Sequence, residues 1–457
     1  MSSIKPDELA FASEPVKPSA GNVRALFALA DCNNFFVSCE RVFDPRLEGI
    51  PVVVLSNNDA CAISCSNEAK KLGIKVGMPV FEAEAVIRKY KIRLVSANFT
   101  LYRDLSLRIS HCLQQFCPDI EIYSVDEVFM VLKERDGRDI DTLIRKMRQT
   151  VHRWTGVPMS IGVAETKTLA KLAAGYAKKE ISLGGCFNLS ATTPQDRDRV
   201  LSHTPVENVW GIGRQYGKWL TSRGITTALR LRDMDESSFE RKAGVTGLRT
   251  VKELKGIPCI SIDLDDTPRK TITCSRSFGS PVTDHRELKE AIAAFTSQAA
   301  RELRYDGSLA RKVTVYCRSK SGLGNAPASD SMTISLPVPT YRDIDLISAA
   351  FTCLERIYRP GLIYRKAGIT LNDISGRDVR QTDMFAEIEH NRLDSLNEVI
   401  DRLNSRWGYG TIKYAVAGTK KRWKSLSALR SPNYTTQWND LPICTFADFQ
   451  SAENYDV

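Results

Sequence analysis

Six consecutive apolar residues, Ala25-Leu26-Phe27-Ala28-Leu29-Ala30, stop at Asp31, and a second apolar run from Ile120 to Leu132 carries Asp126-Glu127 at its centre. The first run suits a buried strand, and the second is too rich in β-branched and aromatic residues for a helix. A carboxylate closing one strand and a carboxylate pair inside another can meet at one end of a sheet. Adjacent residues on a strand face opposite sides, so Asp126 and Glu127 share a site only where the chain turns or bulges between them. Ser124-Val125-Asp126-Glu127 therefore reads as the tip of a hairpin.

The surrounding pattern supplies the rest of that sheet. Pro51 to Leu55 and Met159 to Ala164 read as strands. Tyr102 to Phe116, Asp139 to Trp154 and the run after Thr166 read as helices. Together they give a β-α-β-β-α-β pattern of the ferredoxin type. Residues 56–97 read as a small inserted helical lobe punctuated by Gly73 and Gly77. Residues 190–258 read as short helices separated by glycine. Strands and helices alternate again over 268–374, with Pro337, Pro339 and the stretch 321–331 as loops. Residues 1–24 have no hydrophobic period and read as a disordered extension. The fold class expected is α+β in several domains, and 457 residues at 42% hydrophobic suffice for several cores.

Composition narrows the functional classes. A formal net charge of +10 favours a polyanionic partner. No stretch reaches the roughly 18–20 apolar residues of a membrane span, and the first 24 residues hold no signal-peptide core, so a cytoplasmic location and no membrane partner are expected. The 12 cysteines include no CxxC pair, and Cys61 and Cys65 have no histidine beside them, so reduced thiols are expected.

The carboxylates suit Mg²⁺, which takes oxygen ligands together with phosphates and water. Two such ions about 3.5–4 Å apart activate a hydroxyl and neutralise a leaving pyrophosphate in in-line displacement. Lys167, Lys171 and Lys178 fall within about 40° of one another around a helix. Leu169, Leu172, Ala173 and Tyr176 mark the opposite, buried side. Gly211 and Gly213, ahead of Arg214, suit a helix-hairpin-helix whose backbone N–H groups approach a phosphate.

Asp31-Cys32-Asn33-Asn34-Phe35-Phe36-Val37-Ser38-Cys39-Glu40 and Tyr123-Ser124-Val125-Asp126-Glu127-Val128-Phe129 resemble the two catalytic motifs of the Y-family translesion DNA polymerases. The likeness is greatest to the UmuC type, the catalytic subunit of bacterial DNA polymerase V, and continues through Pro51 to Asp59 and Ser275-Arg276-Ser277-Phe278-Gly279. It implies a right-hand polymerase: residues 25–35 and 98–190 as a ferredoxin-like palm, 36–97 as fingers, 191–260 as a helix-hairpin-helix thumb, 268–374 as an α/β little finger, and 375–457 as a C-terminal partner-binding region.

The resemblance also implies site residues. Asp31, Asp126 and Glu127, assisted by the backbone carbonyl of Cys32, hold two Mg²⁺ ions, with Asp31 and Asp126 bridging both and Glu127 serving the one at the primer end. Phe36 is the steric gate against a ribose 2′ hydroxyl, where some relatives have Tyr. Lys178 and Lys70 reach the triphosphate, Lys70 standing where other members often have Arg. Asn67 replaces a Tyr of many relatives, and Ser64, one turn earlier, offers a hydroxyl. Arg276 and the basic residues of the little finger grip DNA, as do Gly211, Gly213 and Arg214.

Gln381-Thr382-Asp383-Met384-Phe385 resembles the peptide that docks bacterial polymerases on the sliding clamp, with Gln381, Met384 and Phe385 as anchors. Arg402 to Arg430 holds eight basic and no acidic side chains, with Trp407, Tyr409, Tyr414 and Trp423 interleaved. That mixture suits DNA or an acidic protein. By resemblance, the partners are primed damaged template and deoxynucleotides, the clamp, a UmuD-type dimer and a recombinase filament, in a bacterial, nucleoid-associated SOS response. Two other readings compete. A non-catalytic DNA-binding adaptor is opposed by the intact carboxylates, and a nucleotide cyclase by Phe36 and the long basic C-terminal half.

Overall fold

The computed structural model describes residues 25–133, 139–263, 269–320, 328–377, 390–419 and 422–441. They form two compact units, the first from residues 25–33 and 103–263, the second from 34–102 and 269–441. In chain order the elements begin with β1 (Ala25–Cys32), α1 (Phe35–Phe43), β2 (Val52–Leu55), β3 (Ala62–Cys65), α2 (Asn67–Lys71), α3 (Val80–Lys89), β4 (Arg93–Ser96) and α4 (Phe99–Gln114). Next come β5 (Ile120–Ile122), β6 (Glu127–Lys133), α5 (Ile140–Thr155), β7 (Met159–Ala164), α6 (Lys167–Lys179) and β8 (Cys186–Asn188). Four helices follow: α7 (Pro194–Ser202), α8 (Arg214–Thr221), α9 (Ala228–Arg232) and α10 (Glu236–Leu254). The last are β9 (Thr271–Val282), α11 (His285–Tyr305), β10 (Ser308–Lys320), β11 (Ala328–Thr340), α12 (Asp343–Ile357), β12 (Ile363–Gly376) and α13 (His390–Trp407).

The first unit is built on a sheet of order β5-β6-β1-β7-β8. The strand β1 runs antiparallel to both β6 and β7, which is the ferredoxin-type arrangement with β8 added in parallel beside β7. Its central place explains the uninterrupted apolar run, because Ala28, Leu29 and Ala30 are all buried. Leu169, Ala170 and Ala173 of α6 pack with Leu29 and Phe129 of the sheet, and Leu220, Phe239 and Val251 of the later helices share that core. The described residues thus bear out an α+β fold.

One buried acid ties α6 to the end of α10. Glu253 is fully buried, and its carboxylate accepts the backbone N–H groups of Thr168 at 2.9 Å, Cys259 at 2.8 Å and Ile260 at 3.1 Å. Removing the acceptor leaves these donors unpaired at a cost of order 1 kcal/mol or more each. Glu253→Ala is expected to destabilise the protein by about 3 kcal/mol in urea unfolding, and Glu253→Gln by less, since its amide oxygen still accepts. A Glu253→Ala protein within about 0.5 kcal/mol of the parent would refute the role.

The second unit holds two sheets. In residues 36–97 the order is β3-β2-β4, with β2 antiparallel to β3 and parallel to β4; β2 is as expected, whereas the lobe 56–97 expected to be helical adds the strands β3 and β4 to its short helices. The strands β3 and β4 span four residues each, too short to show a period. In the other sheet, of order β11-β10-β12-β9, neighbours are antiparallel, and α11 and α12 pack against it. Pro337 and Pro339 lie within β11 rather than in a loop. They are tolerated because β11 is an edge strand whose pairing to β10 skips from Thr340 to Ser335, so no ladder N–H is needed between. Residues 328–331, also expected as loop, open that strand.

The N-terminal extension 1–24 and the clamp-like peptide Gln381, Met384 and Phe385 lie outside the described residues. All cysteines among the described residues are free, most of them buried. No helix among the described residues is long and apolar enough to cross a membrane.

Candidate active site

The register of the first sheet brings the acids to one end. Asp31 stands directly opposite Glu127 on β6, and Cys32 N–H donates to the carbonyl of Asp126 at 2.9 Å. The chain turns between β5 and β6 as its sequence requires. The Ser124 hydroxyl accepts from the backbone N–H groups of Asp126 at 3.3 Å and Glu127 at 3.1 Å, and donates to Asp126 Oδ1 at 2.5 Å. This serine-closed turn frees the two adjacent acids from the alternation of a strand. Asn33 holds the exit from β1, its N–H donating to Pro158 O and its Oδ1 accepting from Ser160 Oγ.

The basic face of α6 lies along these acids. Thr166 caps the helix by accepting from Leu169 N–H at 3.2 Å. Lys178 Nζ donates to Asp31 Oδ1 at 2.9 Å, and Lys171 Nζ donates to both carboxylate oxygens of Glu127 at 2.8 Å while lying 4.8 Å over the Tyr123 ring. Lys167 departs from the expected exposed face. It is 2% exposed, paired with Glu121 at 2.5 Å and set over the Phe129 ring at 4.7 Å. The carboxylate and the aromatic face offset its desolvation.

The donor set fits a hard divalent cation. It comprises three carboxylates at one sheet end, opposed by only two ammonium groups, with the Cys32 carbonyl in the same strand end. Burial, and then the charges of Asp31 and Asp126, push the Cys32 thiol far above its usual range. Among the described residues no three His, Cys, Asp or Glu side chains already converge as a metal cluster. Asp31 and Glu127 are instead engaged by lysines and Asp126 by Ser124.

Other expected residues fall in the second unit. Phe36 stacks on Tyr102 with centroids 4.6 Å apart and meets Phe99 edge-on at 6.0 Å. The Tyr102 hydroxyl donates to buried Glu40 at 2.6 Å, and burial, then Glu40, raises the Tyr102 pKa beyond its usual range. Lys70 Nζ donates to Asn34 Oδ1, and Asn34 Nδ2 donates to Asn67 Oδ1 at 3.0 Å. Ser64 is not a turn earlier on a helix. It lies in β3 opposite Val54 and is 7% exposed, because a strand precedes α2. Arg276 sits in β9 and donates to the carbonyl of Ser275.

In the first unit, Gly211 has φ +89° and Gly213 caps α8, whose first residue Arg214 is exposed. Trp210 Nε1 donates to the Tyr123 hydroxyl at 3.0 Å, joining this turn to the acidic hairpin. Sequence reasoning placed Lys171 on the right face without finding its partner, and it missed Glu121, Glu253, and Tyr102 as the support of Phe36. Only the spacing of Lys171 from Lys178 signalled a shared acidic target.

Comparison with known proteins finds relatives along most of the chain. Residues 30–175 match the impB/mucB/samB family, residues 269–384 its C-terminal domain, and residues 394–443 a domain of unknown function. The chain is 40% identical to Protein UmuC of Salmonella typhimurium over 91% of its own length and 99% of the relative's, and 37% identical to Protein SamB of the same species over the same shares. DNA polymerase IV of Moorella thermoacetica is 28% identical over 86% of this chain and 96% of its own. A solved Y-family DNA polymerase chimera covers 77% of the chain, and 99% of its own, at TM-score 0.59 and 20% identity.

On this fold, the family match and these relatives identify a DNA-directed DNA polymerase. The chain belongs to the impB/mucB/samB family, as a UmuC-type Y-family enzyme of error-prone translesion synthesis in SOS mutagenesis. DNA and nucleotides are its substrates, and divalent-metal dependence accompanies that membership.

Proposed function

We propose that the acidic end of the first sheet is the nucleotidyl-transfer centre of a two-Mg²⁺ polymerase acting past damaged template bases. Asp31, Asp126 and Glu127, together with the Cys32 backbone carbonyl, would hold the ions, Asp31 and Asp126 serving both and Glu127 the one at the primer end. When bound, two such ions activate the 3′ hydroxyl and neutralise the leaving pyrophosphate. The observation that carries the reading is the register of Asp31 opposite Glu127, with Cys32 bonded across to Asp126.

The chain's own groups do the positioning. Lys171 and Lys178 hold the carboxylates apart from each other's charge and exchange these partners for phosphate oxygens as substrate enters. Lys70 and Lys178 meet the triphosphate, Phe36 excludes a 2′ hydroxyl, and Ser64 acts at most from beneath, being buried. Gly211, Gly213, Arg214 and Arg276 hold the DNA backbone. The palm, fingers, thumb, little finger and C-terminal divisions are proposed at the boundaries expected from sequence. The clamp is met through Gln381, Met384 and Phe385, and a UmuD-type dimer and recombinase filament act on the C-terminal region.

The full chain with Mg²⁺, deoxynucleotides and a primed template bearing an abasic site is expected to extend the primer past the lesion when those partners are supplied. Extension that always stops one nucleotide before the lesion, with undamaged template copied normally, would refute the translesion role.

A further inference from the structure

Part of the domain of unknown function packs onto the second unit. Its segment 423–434 runs across the second unit from the β9 sheet to the β2 sheet, its backbone groups held mainly by side chains of Asn58, Asp59, Ser96 and Asn98. Leu426 N–H donates to Asn58 Oδ1 at 2.8 Å, its carbonyl accepts from Asn58 N–H at 3.0 Å, and Asn58 Nδ2 donates to the carbonyl of Ser277 at 3.1 Å. Gly279 is required there, because a Cβ on it would lie 2.5 Å from the carbonyl oxygen of Lys424. Farther on, Leu429 bonds Ser96 through both its N–H and carbonyl, and fully buried Asn98 donates to the carbonyls of Ser431 and Pro432. Tyr434 stacks on Phe43 at 4.9 Å.

This segment closes one side of a cleft of about 270 Å³ lined by Asn57, Phe99, Arg276, Lys424, Leu426 and Arg430 among others. Three cations face it, and no carboxylate lines it among the described residues. Phe99 is 48% exposed and Leu426 56% exposed, so apolar surface stands between the charges. Arg430 is fixed by oxygens of Asn98 and Asn433, which orient its guanidinium without neutralising it. Cations beside an exposed ring match a single strand, whose phosphates take the charges while a base takes the aromatic face. A duplex would leave Phe99 and Leu426 without partners.

We propose that residues 423–430 of the domain of unknown function form one wall of a binding cleft for single-stranded DNA, the unpaired template ahead of the primer end. The inference rests on the polymerase reading for the source of that strand. Lys424 and Arg430 hold phosphates from the C-terminal side, Arg276 holds them from the sheet, and Phe99 stacks a base.

The test is fluorescence anisotropy on the full chain without nucleotide, using a blunt hairpin DNA and the same hairpin with a 5′ overhang of about ten nucleotides. The overhang is expected to tighten binding by about tenfold, and Lys424→Glu to remove that gain while leaving the blunt hairpin's affinity unchanged. Lys424→Arg restores the gain, and Lys424→Gln lowers the salt slope for overhang DNA by about 0.7. Equal affinity of the parent for both DNAs would overturn the proposal and leave the cleft to an acidic peptide. Equal loss on both DNAs in Lys424→Glu would also overturn it. Failure here leaves primer extension untouched, whereas absence of extension by the parent strikes the polymerase reading and not this one.

Discussion

Asp126→Asn is expected to lower the single-turnover rate of primer extension by about 10³-fold or more, equivalent to ~4 kcal/mol of transition-state stabilisation. The substitution is nearly isosteric, and an amide oxygen can still accept from the Ser124 hydroxyl that closes the turn. What changes is charge. Three carboxylates opposed by Lys171 and Lys178 leave an excess of negative charge for a divalent ion, and the variant removes that excess. Quench-flow extension of a primed template, with DNA affinity measured on the same preparations, separates the loss of chemistry from a loss of fold. A rate within about threefold of the parent would remove Asp126 from the catalytic set.

Phe36→Ala is expected to raise ribonucleotide use relative to deoxynucleotide use by on the order of 10²-fold. The ring is held from beneath, because Tyr102 stacks on it and is itself pinned by Glu40. Truncation therefore opens space that Tyr102 is not free to fill. Phe36→Tyr keeps the bulk and is expected to keep the selectivity. The check is the ratio of kcat/KM for a matched pair of nucleotides opposite the same template base. A ratio unchanged in Phe36→Ala would assign sugar selection to another side chain.

Much of the acidic end of the first sheet was legible because its signals are local. An apolar run ending at Asp31, and a β-rich run interrupted by Ser124-Val125-Asp126-Glu127, each predict a strand with an acid at a defined end. The structure adds the register that makes them neighbours. The face of α6 was legible from its period, but the burial of Lys167 was not, since its partner Glu121 lies 46 residues away. Distance along the chain hid more of the second unit. Asn98 meets Ser431 across 333 residues, and no period or spacing encodes such a contact. The strands β3 and β4 were too short to alternate visibly, and the prolines of β11 read as breakers until its edge position was known. The sequence likeness that carried Asn57-Asn58-Asp59 and Ser277-Phe278-Gly279 did not say what they are for. In the structure Asn58, Asp59 and Gly279 receive the C-terminal segment.

Holding two divalent ions around substrate is the role proposed for Asp31, Asp126 and Glu127. Its most direct test counts Mn²⁺ by electron paramagnetic resonance in the complex of the full chain, a dideoxy-terminated primed template and the next deoxynucleotide. The parent is expected to hold about two ions per complex, and Asp126→Asn to hold about one, or two with affinity weakened at least about tenfold. The same count and affinity in both proteins would contradict the account.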